Sequence, residues 1–324
     1  MDRKNPDGHQ TLFISWIRWH GRSSGLARDL GADCHFIDPG PGNVVLRYLR
    51  AIRKTRHLVR GSKFTSVIVM QPPLPALVAV CLFTRRKTTS VVGDLHTGAF
   101  EDPKWRWSTN LALALIRRRG FAIVTNESLA ARARKRGAQA VVVHDAIDSP
   151  AGAPHGETSE SGHVLVPLSY ANDEPIAQIL GAAATLPRVP FVLTGRAPDA
   201  VVQSAPSNVA FAGYVSDERY NELLHGAAAV LALTTRKHTM QRAGYEAMSA
   251  RRPLITSDFP ELRAFFEDGA RYCGPDEAEI AREISSALRD STQLSGRMDD
   301  LAAQRLAEYR AAISAVSELL VSRE

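Results

Sequence analysis

The sequence predicts an α/β protein of two Rossmann-like, doubly wound domains facing each other across a cleft. Three observations support this. Short runs of nearly continuous Val, Ile and Leu alternate with longer amphipathic stretches along the 324 residues. Such runs suit parallel strands buried on both faces and covered by helices. The rhythm breaks once, at Asp148–Gly162 (DSPAGAPHGETSESG), where Pro, Gly, Ser and Glu replace large apolar residues, and then restarts. The charge changes sign at the same place. Residues 1–150 hold 24 Lys and Arg against 11 Asp and Glu, whereas residues 151–324 hold 16 against 23.

In the first half, the apolar runs predict strands at Thr11–Trp16, His35–Asp38, Ser66–Gln71, Ser90–Asp94, Phe121–Thr125 and Ala140–Val143. The amphipathic stretches between them predict helices at Ser24–Leu30, Val44–Val59, Leu74–Phe83, Asn110–Arg118 and Asn126–Arg136. Prolines place the run Leu74–Phe83 at a helix start. Gly21 and Gly25 suit a tight strand-to-helix turn after the first strand. After the break, strands are expected at His163–Pro167, Phe191–Gly195, Val209–Ala212, Val230–Leu233 and Leu254–Ser257. Helices are expected at Ile176–Thr185, Asp217–Ala227, Gly244–Ala250, Glu261–Glu267 and Glu277–Leu288, with a long last helix from about Arg297 to Val321. The expected domains are residues 1–150, which would bind the acceptor, and 163–296, which would bind the donor. Residues 297–324 form a helix packing back on the first domain.

Composition excludes several classes. Three widely spaced cysteines, Cys34, Cys81 and Cys273, make neither a disulfide framework nor a zinc site and fit a reducing compartment. The start, MDRKNPDGHQ, has no apolar signal core, and no run reaches the roughly 18 apolar residues of a membrane span. A cytoplasmic protein is expected. The basic first half suggests an anionic partner, whether nucleic acid, a phosphorylated or lipid-linked substrate or an anionic membrane surface, with a solvated basic face as the plain alternative. Plotted at 100° per residue, Val44–Arg60 puts Val44, Tyr48, Ala51, Ile52, Leu58 and Val59 on one side. Arg47, Arg50, Arg53, Lys54, Arg56 and Arg60 fill the other, with Leu46 and Leu49 among them. No nucleic-acid-binding signature accompanies the charge.

The chemistry concentrates in Asn208–Asp258. The loop Thr239–Gly244 (Thr239, Met240, Gln241, Arg242) runs into a helix expected to begin near Gly244. Its backbone N–H groups and the helix N-terminus suit a diphosphate. Arg236, Lys237 and Arg242 add cations, and Glu246, placed in the first helical turn, suits a bidentate bond to a ribose diol. Gly195-Arg196, the stretch NVAFAGYVSDERYNELL and the stretch beginning YEAMSARRPLITSDFPELRAFFEDG resemble the donor domain of glycosyltransferase family 4. Those enzymes have the two-domain B-type glycosyltransferase fold. The resemblance covers residues 163–290. It implies a nucleoside-diphosphate sugar as donor, Arg196 on its diphosphate, Gly213-Tyr214-Val215 framing its base, and Glu246-Ala247-Met248 as the second glutamate of the family pattern. The first glutamate of that pattern falls on His238, a departure that bears on the donor sugar and on activity. In the first half the resemblance implies His96 near the donor sugar, with Asp94 orienting it or serving as base toward the acceptor hydroxyl. Trp19, His20 and Arg22 form an acceptor-side loop, with Arg22 meeting phosphate and the aromatics stacking on sugar; two indoles packed in the core is the plain alternative there.

The expected activity is therefore sugar transfer to an acceptor hydroxyl, in polysaccharide or glycolipid assembly, without cofactor and without metal. A non-catalytic scaffold of the same fold, supported by His238, and a sugar-nucleotide epimerase are the alternatives.

Overall fold

The computed structural model describes residues 10–61, 64–147 and 162–322; most of the expected linker lies outside the described residues. The chain divides into two compact units, residues 1–146 with 308–324, and residues 147–307.

The first unit holds β1 (Thr11–Ser15), β2 (Asp33–Phe36), β3 (Ser66–Gln71), β4 (Ser90–Leu95), β5 (Ala122–Val124) and β6 (Ala140–Val142). All pairings are parallel, in the order β2-β1-β3-β4-β5-β6. Its helices are α1 (Gly21–Asp29), α2 (Val44–Gly61), α3 (Leu74–Phe83), α4 (Thr97–Glu101), α5 (Thr109–Arg119) and α6 (Glu127–Arg134). The apolar runs became strands because both of their faces are covered. Val67 and Val69 face the core under α2, α3 and α5, while Phe13, Ile68 and Val92 face Leu26, Val316 and Leu320.

The second unit repeats the design with β7 (His163–Val166), β8 (Phe191–Thr194), β9 (Val209–Gly213), β10 (Ala227–Ala232), β11 (Leu254–Ser257) and β12 (Ala270–Cys273). The order is β12-β11-β10-β7-β8-β9, again all parallel. Its helices are α7 (Ile176–Thr185), α8 (Asp199–Ser204), α9 (Asp217–His225), α10 (Arg242–Ser249), α11 (Pro260–Phe266) and α12 (Glu277–Arg289). The last helix, α13 (Ser291–Val321), starts in this unit, and its turns from Glu308 onward belong to the first.

Three helices start two or more residues before expectation: α1, α10 and α13, the last at Ser291 instead of Arg297. The His20 side chain accepts from the Ser23 amide, so α1 begins at Gly21 and Gly25 is an ordinary helical residue. Gln241 stands at the N-cap position of α10 without a side-chain cap bond; that helix begins at Arg242, and Glu246 sits in its second turn. The strand β12 and the short α4 and α8 were not expected. β12 reads ARYC, whose alternating charge and aromatic content breaks the apolar pattern.

In each sheet the chain reverses its winding once, between β1 and β3 and between β7 and β10. Ligands of open parallel sheets bind at the carboxyl ends of the strands beside such a reversal. The segments after β1 and β10 carry Trp19, His20, Arg22 and residues 237–241, while His96, Arg196 and Tyr214 follow β4, β8 and β9.

Candidate functional site

In the second unit, the loop leaving β7 and the loop leaving β10 meet at the reversal. The Asp173 carboxylate accepts from Thr234 Oγ1 (2.7 Å) and pairs with Arg236 (3.0 Å), and its carbonyl accepts from the Thr235 amide (2.7 Å). Glu174 closes the first loop by accepting from the amides of Ser169 and Ala171. Gly195, at the end of β8, lies against this loop with φ +84°. A Cβ there would stand 2.1 Å from the Leu168 carbonyl oxygen, so only glycine fits. Tyr170 packs beside it at φ +57°; its hydroxyl is buried without a partner, and burial, with Glu174 adding, pushes the phenol up to about 12.

Around this frame stand the residues singled out in the sequence. Arg196 and Lys237 are exposed, and neither pairs with a carboxylate among the described residues. Of the three cations expected around a diphosphate, the other two are engaged: Arg236 with Asp173, and Arg242 with Glu246 at 2.7 Å. Glu246 also accepts from the Tyr220 hydroxyl (2.5 Å), so its carboxylate is fixed from two sides. Burial, followed by the charge of Glu246, raises the Tyr220 phenol far above its ordinary value and keeps it a donor. Tyr214 is 82% exposed and Val215 half-buried at the mouth of α9. Met240 is partly buried and packs against the core. The Gln241 amide donates to the Leu233 carbonyl (2.9 Å). Thr239 donates weakly to the Lys237 carbonyl (3.5 Å). His238 sits at φ +59°, its Nδ1 2.5 Å from Glu261 Oε1.

In the first unit, a cluster forms where the ends of β1 and β4 come level. His96 Nε2 lies 2.9 Å from Asp94 Oδ2; a carboxylate only accepts, so that nitrogen carries the proton. Asp94 is fully buried, and its other oxygen meets Arg22 at 3.4 Å. Burial alone would raise this carboxyl. The charges of His96 and Arg22 and the hydrogen bond from His96 outweigh it and hold Asp94 well below the usual carboxylate range. The His20 ring lies 4.8 Å from that of His96, edge to face. Burial, then the His96 charge, lowers its pKa to about 4, so His20 is neutral at pH 7 and free to accept at the cap of α1.

Three expectations for this cluster are corrected. Asp94 cannot itself serve as base toward an acceptor, because no part of it reaches solvent and both oxygens are taken. Arg22 is not a surface phosphate contact. It is 7% exposed and is spent on Asp94, on Asp145 (2.7 Å) and on the Val143 carbonyl (2.8 Å). The two indoles part company: Trp16 is buried and donates to Thr55 (2.9 Å), while Trp19 is 62% exposed.

Sequence reading missed Asp173, Glu174, Tyr170, Tyr220, Asp145 and Glu261. The polar run SYANDE directly after the β7 run was the available signal for the first three. Among the described residues no cluster of His, Cys, Asp and Glu could hold a metal ion.

Residues 168–290, all within the second unit, match the model of the family described as glycosyl transferases group 1. No curated protein sequence matches the chain. Among solved structures the chain is similar to HepE of Anabaena in complex with UDP and glucose. The two share 14% identity, with 95% of this chain and 99% of that one covered, at a TM-score of 0.73. It is similar to sucrose-phosphate synthase of Thermosynechococcus elongatus (13% identity, 96% and 98% covered, TM-score 0.74). It is also similar to a putative UDP-N-acetylglucosamine 2-epimerase of Listeria monocytogenes (10%, 95% and 95%, TM-score 0.66). These likenesses show the fold, the two-domain α/β architecture of B-type glycosyltransferases.

Proposed function

We propose that the chain transfers a sugar from a nucleoside-diphosphate sugar to an acceptor hydroxyl. The observation that carries this is the group 1 match over residues 168–290, the same stretch that carries Arg196, Lys237 and Glu246. Fold likeness alone extends to an epimerase, so it does not separate transfer from epimerisation. HepE was solved with UDP-glucose, which makes a uridine diphosphate donor the first to try.

The departing diphosphate takes its stabilisation from Arg196, Lys237 and the N-terminus of α10, where Gln241 leads into the helix. The donor ribose meets Glu246, already oriented by Tyr220 and Arg242. The base packs against Gly213, Tyr214 and Val215. His96 takes the acceptor proton or contacts the sugar, with Asp94 as the group that orients its ring. No metal is needed where side chains and a helix terminus supply the positive charge; EDTA then leaves turnover unchanged.

The acceptor is a lipid-linked or carbohydrate hydroxyl held by the basic first unit, in glycolipid or polysaccharide assembly, with His20 and Trp19 beside it. No described helix is long and apolar enough to cross a membrane. What supports docking on the cytoplasmic face of an anionic bilayer is α2, where Val44, Val45, Leu46 and Leu49 are exposed among arginines.

The test is a thermal-shift panel of UDP, GDP, ADP, CDP and dTDP, followed by product analysis with the matching sugar conjugate. One nucleotide should stabilise by about 2.7 kcal/mol at a hundredfold excess over its Kd. No stabiliser at millimolar concentration removes the donor site. Binding without transfer to any acceptor favours the scaffold reading, and a C2-inverted nucleotide sugar favours the epimerase.

A further inference from the structure

We infer that Glu261 is a positioning residue of the donor edge, holding the His238 imidazole where it meets the sugar of the bound donor. This rests on the donor-site reading above, together with the expectation from the family pattern that His238 stands beside the donor sugar.

His238 occupies the left-handed region, φ +59°, which side chains other than glycine adopt at a cost. Such a conformation persists only where neighbouring contacts hold it. One of those contacts is the 2.5 Å hydrogen bond from His238 Nδ1 to Glu261 Oε1, across 23 residues of sequence. Glu261 is itself unusual, with a side chain only 6% exposed. A carboxylate so far from water requires hydrogen-bond partners, and the imidazole N–H is one.

The placement gives the pair its meaning. His238 lies on the loop leaving β10, eight residues before Glu246, and Glu261 lies in the first turn of α11, just after β11. β10 and β11 are neighbours in the sheet, so the bond ties together two adjacent loops of the edge that carries the donor residues. A carboxylate accepting from Nδ1–H fixes the ring's tautomer and orientation and assigns the ligand contact to Nε2. The imidazole thus makes the sugar contact, and the carboxylate that sets it comes from another element.

The test compares the wild type with Glu261→Gln, His238→Ala and the double variant, using UDP and UDP-glucose as probes in titration calorimetry. Glu261→Gln keeps the shape but replaces the charged acceptor by a neutral amide, which weakens the bond to Nδ1–H and removes the charge that favours that tautomer. His238→Ala approaches the pair from its more exposed side, so a folding defect in either one is separable. Each single variant should weaken UDP-glucose about tenfold, the scale of one hydrogen bond, and UDP less than about twofold. The double variant should be no worse than His238→Ala, because the two residues act as one unit. Losses that add, or that fall equally on UDP and UDP-glucose, overturn the inference. A wild type that binds neither probe overturns the donor reading instead. The pairing is then still tested by amide hydrogen exchange over residues 236–241, which must quicken in Glu261→Gln; unchanged exchange there also overturns it.

Discussion

His20 is where the surroundings of a single side chain make the firmest statement about pH. Its pKa falls to about 4 in the folded state against 6.5 for the free side chain, chiefly through burial and then the charge of His96. Between those values the unfolded chain binds a proton that the folded chain refuses. Stability is therefore full above pH 6.5 and declines as pH falls toward 4, by at most about 1.4 kcal/mol per unit. Asp94, with its depressed carboxyl, adds a further loss only below its unfolded value of 3.8, so the two windows separate. Replacing His20→Asn keeps a good N-cap for α1 and deletes the titration. Urea melts at pH 7 and pH 4.5 should show the wild type losing more stability than the variant; parallel losses would place the proton elsewhere. Gly195 makes a steric statement of the same kind. With φ +84° and the Leu168 carbonyl oxygen 2.1 Å from where a Cβ would stand, Gly195→Ala must move the β7 loop. It should cost about 1–3 kcal/mol and weaken nucleotide binding through Arg196. An alanine variant with unchanged melting and unchanged nucleotide affinity would show that the loop yields freely.

Secondary-structure elements were legible where hydrophobic period decided them and illegible where a cap or a partner did. The eleven strands read from apolar runs recur in the sheets, while ARYC became β12 only because β11 offered it a ladder. The start of α1 depends on a histidine cap, and histidine is not among the residues that announce a helix start. Site residues divide the same way. Arg196 and Glu246 sit on local motifs and could be read, whereas Glu261 and Asp145 matter only through partners 23 and 123 residues away. On α2 the plotted faces need one change, since Val44 is 62% exposed instead of buried with Tyr48 and Ala51. Arg50 and Lys54 also bond to the carbonyls of Pro41 and Asp38, and Arg56 and Arg60 lie over Phe83. Arg47 and Arg53 are therefore the cleaner probes of the surface. The wild type should float with anionic vesicles and not with neutral ones, less so as salt rises. Arg47→Glu with Arg53→Glu should remove about 2 kcal/mol or more of that binding, near 1 kcal/mol per charge. Failure of the wild type to float at low salt would leave the basic face to a soluble anion.

For the molecule as a whole, the two units present different chemistry. The first carries the net positive charge and a buried Asp94 bonded to half-buried His96; the second carries exposed Arg196 and Lys237 and an ordered carboxylate, Glu246. Each unit has its own apolar core, so a change in one should leave the binding properties of the other intact. That independence gives a test of the division of labour. Asp94→Asn retains the size of the side chain but removes the charge that orients His96. It should lower transfer by about 10²–10⁴-fold, the range of a misplaced acid–base group, with nucleotide affinity unchanged. Arg196→Ala should do the reverse in kind, weakening UDP by a charge-assisted contact of about 1.5–3 kcal/mol. Hydrogen exchange with and without UDP supplies the independent reading: protection should appear at residues 195–196 and 234–246. If Asp94→Asn lowers nucleotide affinity as much as Arg196→Ala does, the pair in the first unit serves binding or folding, and its assignment to catalysis fails.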